Sequence, residues 1–67
     1  MMKKEEKIDL SKLKDARLAN DLTQAEISKQ LGVNLGTYRT WEYEASHPNE
    51  ENTKKLMELL PEIKKGE

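Results

Sequence analysis

The stretch TQAEISKQLGVN, residues 23 to 34, restricts the fold of this chain more than any other. Thr23 and Glu26 have the spacing of a capping box, in which the threonine hydroxyl accepts from the Glu26 backbone N–H and the glutamate carboxylate reaches back. A helix therefore starts here. Ile27 and Leu31 stand one helical turn apart and give it an apolar stripe. Gly32 predicts its end, because glycine takes positive φ without a Cβ penalty. Asn34 is then placed as the N-cap of a next helix, which leaves only Gly32 to Asn34 for the turn. Two helices joined so tightly must cross steeply and bury their facing sides.

The flanking segments supply partners for that pair. Upstream, Asp9 or Ser11 can cap a helix whose inner row is Leu10, Leu13, Ala16 and Arg17. It should end at Asn20-Asp21, two residues that tolerate the left-handed conformation better than most. Leu22 follows as an inward anchor. Downstream, Tyr38 and Trp41 form the inner stripe of the third helix. Pro48 disfavours helix at His47, and Asn49 can cap a further helix with Glu50 and Glu51 in its first turn, where the dipole favours acids. Its inner row is Thr53, Leu56, Met57 and Leu60, and Pro61 ends it or starts one final short turn. No strand pattern or internal repeat appears. The expected fold is all-α, a compact bundle of four to five short helices. Residues 1–7 are expected as a flexible N-terminal arm, 8–61 as the folded domain and 62–67 as a flexible C-terminal tail, loose except for Ile63.

Composition narrows the function. A chain of 67 residues holds one small domain with a thin core. Charged residues are 37% of it and hydrophobic residues 34%, so a few well-spaced positions must carry the packing. There is no cysteine and a single histidine, His47, so nothing has the spacing of a metal site and no cofactor is expected. No glycine-rich phosphate loop or nucleophile elbow occurs, which leaves an enzyme reading without support. No apolar run is long enough to span a bilayer, and a cytoplasmic location without membrane contact is expected. The net charge of −1 looks unfavourable for a nucleic-acid partner. Its distribution is more informative. Residues 23–41 carry Lys29 and Arg39 against Glu26 alone, whereas residues 42–60 carry Glu42, Glu44, Glu50, Glu51 and Glu58 against Lys54 and Lys55. Once Tyr38 and Trp41 face inward, Leu35, Gly36, Thr37, Arg39 and Thr40 are left on an acid-free outer face.

The run from Leu10 to Leu60 resembles the lambda-repressor-like helix-turn-helix family of Cro and phage repressors, also called the xenobiotic-response-element family. The resemblance is carried by Leu22-Thr23-Gln24 followed by Ile27, by Leu31-Gly32-Val33, by Thr37-Tyr38, and by Trp41-Glu42 ahead of Pro48. It implies that the helix from Asn34 to Trp41 enters the major groove. It further implies that Gln24 contacts a phosphate, that Leu35, Gly36, Arg39 and Thr40 read bases, that Asn34 and Thr37 lie near the backbone, and that Tyr43 sits close to phosphate. Arg17 and Glu42 match the family's structural ion pair. The chain departs from the pattern at Asp21 and Glu44, where glycine is usual, at Ser28, usually alanine, and at Tyr38, usually aliphatic.

These readings converge on a sequence-specific DNA-binding transcriptional regulator, a repressor of phage or mobile-element type. Its partner would be a double-stranded DNA operator, bound as a homodimer, with Leu59, Leu60 and Ile63 as candidate dimer contacts. The competing reading keeps the fold but makes the chain a protein-interaction module, such as an antitoxin or antirepressor, whose acidic segment from Glu42 to Glu58 faces a basic protein partner.

Overall fold

The computed structural model describes residues 8–65; the expected N-terminal arm lies outside them. The chain runs through a 3-10 turn at Leu10–Lys12, then α1 (Leu13–Ala19), α2 (Gln24–Leu31), α3 (Leu35–Glu42), α4 (Glu50–Leu59) and a second 3-10 turn at Pro61–Ile63. The expected all-α bundle is what forms. Leu13, Ile27, Leu31, Tyr38, Trp41, Leu56, Leu60 and Ile63 meet in one core, with Tyr38 and Trp41 edge to face at 6.0 Å between centroids.

Local capping sets the starts. Thr23 Oγ1 accepts from the Glu26 N–H at 3.0 Å and Glu26 Oε1 accepts from the Thr23 N–H at 2.9 Å, completing the capping box of α2. Asn49 caps α4 by accepting from the Asn52 N–H at 2.8 Å. Asp9 rather than Ser11 is the first cap. Its carboxylate accepts from both the N–H and the hydroxyl of Ser11, so the chain enters α1 through a 3-10 turn.

Three successive helices end alike. After each, one residue takes left-handed φ: Asp21 (φ 58), Gly32 (φ 75) and Glu44 (φ 60). Its N–H and that of the next residue return to the last turn of the helix. Asp21 bonds Leu18 and Leu22 bonds Arg17 after α1; Gly32 bonds Lys29 and Val33 bonds Ser28 after α2; Glu44 bonds Trp41 and Ala45 bonds Thr40 after α3. This is the Schellman arrangement, which satisfies terminal carbonyls while turning the chain. At the end of α1 the left-handed residue is Asp21 alone; Asn20 keeps φ −99 and uses its amide on the Ala16 carbonyl at 2.8 Å.

A buried polar network ties α1, α2 and α3 together. Arg17, 6% exposed, donates from Nε to Glu42 Oε2 at 2.6 Å and from Nη1 to the Leu22 carbonyl at 2.9 Å. The Tyr38 hydroxyl donates to the same Glu42 oxygen at 2.5 Å, and Gln24 Nε2 donates to Glu42 Oε1 at 2.9 Å. Burial by itself would raise the Glu42 carboxyl. The hydrogen bonds from Arg17, Tyr38 and Gln24 outweigh that and hold it below its ordinary value. Burial, together with the bond to Glu42, pushes the Tyr38 phenol up, so it stays a proton donor.

The described ends close on each other. The Asp9 N–H donates to the Ile63 carbonyl at 2.8 Å, and Ile8 pairs with Lys64 in a single antiparallel bridge. Residues 62–64 thus belong to the packed body, one turn beyond the boundary expected at residue 61. Leu60 and Ile63 are fully buried and so are unavailable as dimer contacts; Leu59 is half-buried. They pack inward because Leu60 leaves helical geometry at φ −130 and Pro61 starts the turn that folds Ile63 back under α1.

Glu44→Gly should stabilise the fold by about 0.5 to 1 kcal/mol, since it removes a left-handed Cβ penalty. Gly32→Val should cost about 2 kcal/mol by introducing one; urea unfolding checks both, and an unchanged midpoint for Gly32→Val would contradict the turn. Glu42→Gln should destabilise by about 3 kcal/mol by leaving the Arg17 charge buried without its partner. Because the folded Glu42 pKa is lowered, its contribution is complete above the ordinary value of 4.5 and is lost as pH falls through the folded value. Asp9, whose carboxyl is also held low by Ser11, titrates in the same direction in both proteins. The stability difference between parent and Glu42→Gln should therefore shrink on acidification below about pH 4.5.

Candidate nucleic-acid interface

α3 is two-sided. Tyr38 and Trp41 point into the core, and Glu42, the only acid in the helix, is drawn into the ion pair. Leu35, Gly36 and Arg39 are exposed and Thr40 is half-buried. Their i, i+1, i+4 and i+5 spacing lays them along one strip of the helix, with exposed Thr37 beside it. The outer surface of α3 is therefore free of acid because its one carboxylate is spent inside. Among the described residues no hydrogen bond or ion pair engages the Arg39 guanidinium.

The edges of this strip are polar. Asn34 is the N-cap of α3 by backbone position, at φ −66 and ψ 146, but its side chain makes no cap bond, so the carboxamide stays exposed beside the first turn. Tyr43 follows the helix, 66% exposed. Gln24 opens α2 and is half-buried, since one amide N–H is given to Glu42. This couples Gln24 to the carboxylate that also holds Arg17 and Tyr38. Past Tyr43, Glu44 is exposed in its left-handed turn and brings an acid next to the strip.

Thr40 has surroundings that its local spacing does not predict. Its Oγ1 donates to the Thr37 carbonyl at 2.6 Å and also lies 2.6 Å from Ser46 Oγ. Ser46 gave no sequence clue, because it reaches Thr40 only through the Schellman turn at Glu44. The bond from the Tyr38 hydroxyl to Glu42 is local by contrast, as the two residues stand four apart on one helix. The Gln24 bond to Glu42 depends on how α2 and α3 cross and left no trace in local spacing.

The structure thus brings Asn34, Leu35, Gly36, Thr37, Arg39, Thr40 and Tyr43 onto or beside one helix face, and sets Gln24 at the start of the neighbouring helix. Among the described residues no cluster of His, Asp or Glu could hold a metal ion, and no helix is long and apolar enough to cross a membrane.

A family model described as helix-turn-helix matches residues 13–64, a span that includes α1 to α4, the ion pair and the whole exposed strip. No curated protein and no solved structure gives a significant match. With the tight turn between α2 and α3 and the match over most of its length, the chain belongs to the Cro and phage-repressor type of the helix-turn-helix family of DNA-binding domains.

Proposed function

We propose that this protein is a sequence-specific transcriptional regulator, a repressor of phage or mobile-element type, that lays α3 in the major groove of an operator. The observation that carries this is the acid-free strip of α3 with an uncommitted Arg39 at its centre. A guanidinium on such a face can pair with guanine O6 and N7, a contact that discriminates by about 1–3 kcal/mol. Gln24, Asn34, Thr37 and Tyr43 border the strip and suit phosphate contacts, which fix the register of the helix rather than its sequence preference. With a net charge of −1, nonspecific attraction is weak, so affinity depends on base contacts and on two copies acting together. A homodimer on a two-fold related site, with half-sites about 34 Å apart along one face, meets that need. Binding over a promoter would then repress by occlusion. The acids at Glu44, Glu50 and Glu51 favour a second reading, a module that docks a basic protein partner through that segment.

Selection of bound sequences from a random duplex pool at two salt concentrations separates the readings. The parent should enrich a two-fold symmetric site, and Arg39→Ala should lose about tenfold or more in specific affinity while nonspecific binding changes little. Equal loss on specific and nonspecific DNA would remove Arg39 from base reading. No enrichment even at low salt would contradict the DNA-reading function and favour the protein-docking module.

A further inference from the structure

The surface of α3 carries more detail about its preferred bases than a free arginine alone, and this rests on the DNA-binding reading above. Thr40 has one hydroxyl proton, and its short bond to the Thr37 carbonyl uses it. Ser46 Oγ must then be the donor in the 2.6 Å contact between the two hydroxyls, which fills an acceptor position on Thr40 as well. The Ala45 N–H, bonded to the Thr40 carbonyl at 2.8 Å, holds the Ser46 loop against this residue. The hydroxyl proton and one of the two acceptor positions of Thr40 are committed to its own helix and loop. It has no proton left to donate, and what it offers a groove is its methyl group beside one remaining acceptor position.

Gly36 stands one turn below Thr40, and side chains in a helix lean back over the residue four positions earlier. A Cβ built at Gly36 meets nothing within 4 Å, and its φ lies outside the left-handed region. Neither packing nor backbone geometry requires glycine there, although glycine is the poorest helix former after proline. The missing side chain leaves open space on the exposed strip, and helical register sets Thr40 one turn above it and Leu35, 39% exposed, next to it in the chain.

We infer that Leu35, Gly36 and Thr40 form an apolar notch that takes the 5-methyl group of a thymine, so that this protein reads one base by contact with a methyl rather than by hydrogen bonding. Apolar side chains are suited to that group, which only thymine presents in the major groove of unmodified DNA. Arg39, on the same strip, is left to read an adjacent guanine.

The test uses the duplex that the parent selects. Replacing each thymine singly by deoxyuridine deletes the methyl and keeps every hydrogen-bonding group. One position in each half-site should then bind about three- to fivefold more weakly, the loss expected for one buried methyl. Thr40→Val, which keeps the methyl and deletes the hydroxyl, should retain both the affinity and the sensitivity to deoxyuridine. Thr40→Ser, which does the reverse, should lose both. Gly36→Ala should melt at a higher temperature yet bind the site more weakly. A site with no deoxyuridine-sensitive thymine would overturn the notch while leaving the DNA-binding reading intact, as would retention of binding by Thr40→Ser with loss in Thr40→Val. Failure of the parent to select any site would overturn both.

Discussion

One carboxylate holds the arrangement together. Glu42 accepts from Arg17 of α1, from Gln24 of α2 and from Tyr38 of its own helix, and the Arg17 guanidinium continues to the carbonyl of Leu22 in the connection between α1 and α2. In a chain with no phenylalanine and a thin apolar core, this network fixes how three helices cross. Buried pairs of this kind contribute less to net stability than to singling out one packing, because desolvation offsets much of the Coulomb gain. It also takes the only acid of α3 away from the surface. The same contact that orders the bundle therefore prepares the outer face of the helix for an anionic partner.

The second recurring device is the helix end. Each of the first three helices closes through a Schellman turn, and only the turn after α2 has the glycine that suits it. There the short connection decides how α2 and α3 are joined, and a strained residue would be least tolerable. The turn after α3 keeps Glu44 left-handed despite its side chain and thereby returns Ala45 and Ser46 to Thr40. Backbone strain at one position and the orientation of an exposed hydroxyl at another are thus parts of one local structure.

Much of this was legible from the amino acids because it is local. The capping box at Thr23, the stop at Gly32, the cap at Asn49 and the inward pair Tyr38 and Trp41 each depend on residues within a turn or two of one another. Asn34 takes the expected N-cap position while its side chain makes no cap bond, so a backbone cap and a side-chain cap are separable. Leu60, expected on the inner row of its helix, and Ile63 are both taken up by the core and so are lost as dimer contacts, because the chain doubles back under α1 in a way that nothing in their own segment reveals. Of the site, the acid-free strip could be read directly, since it needs only helical periodicity and the inward stripe. The tie from Gln24 to Glu42 and the latch from Ser46 to Thr40 could not, because they are set by a helix crossing and by a left-handed glutamate that residue preferences argue against.

The surface proposed to meet DNA is the outward strip of α3. The most direct measurement follows the backbone amide resonances of the isotopically labelled protein as the selected duplex is added. The largest changes should fall on Gln24, on residues 34–40 and on Tyr43, with α4 from Glu50 to Leu59 little affected. Changes concentrated on α4, with the amides of α3 unmoved, would contradict it.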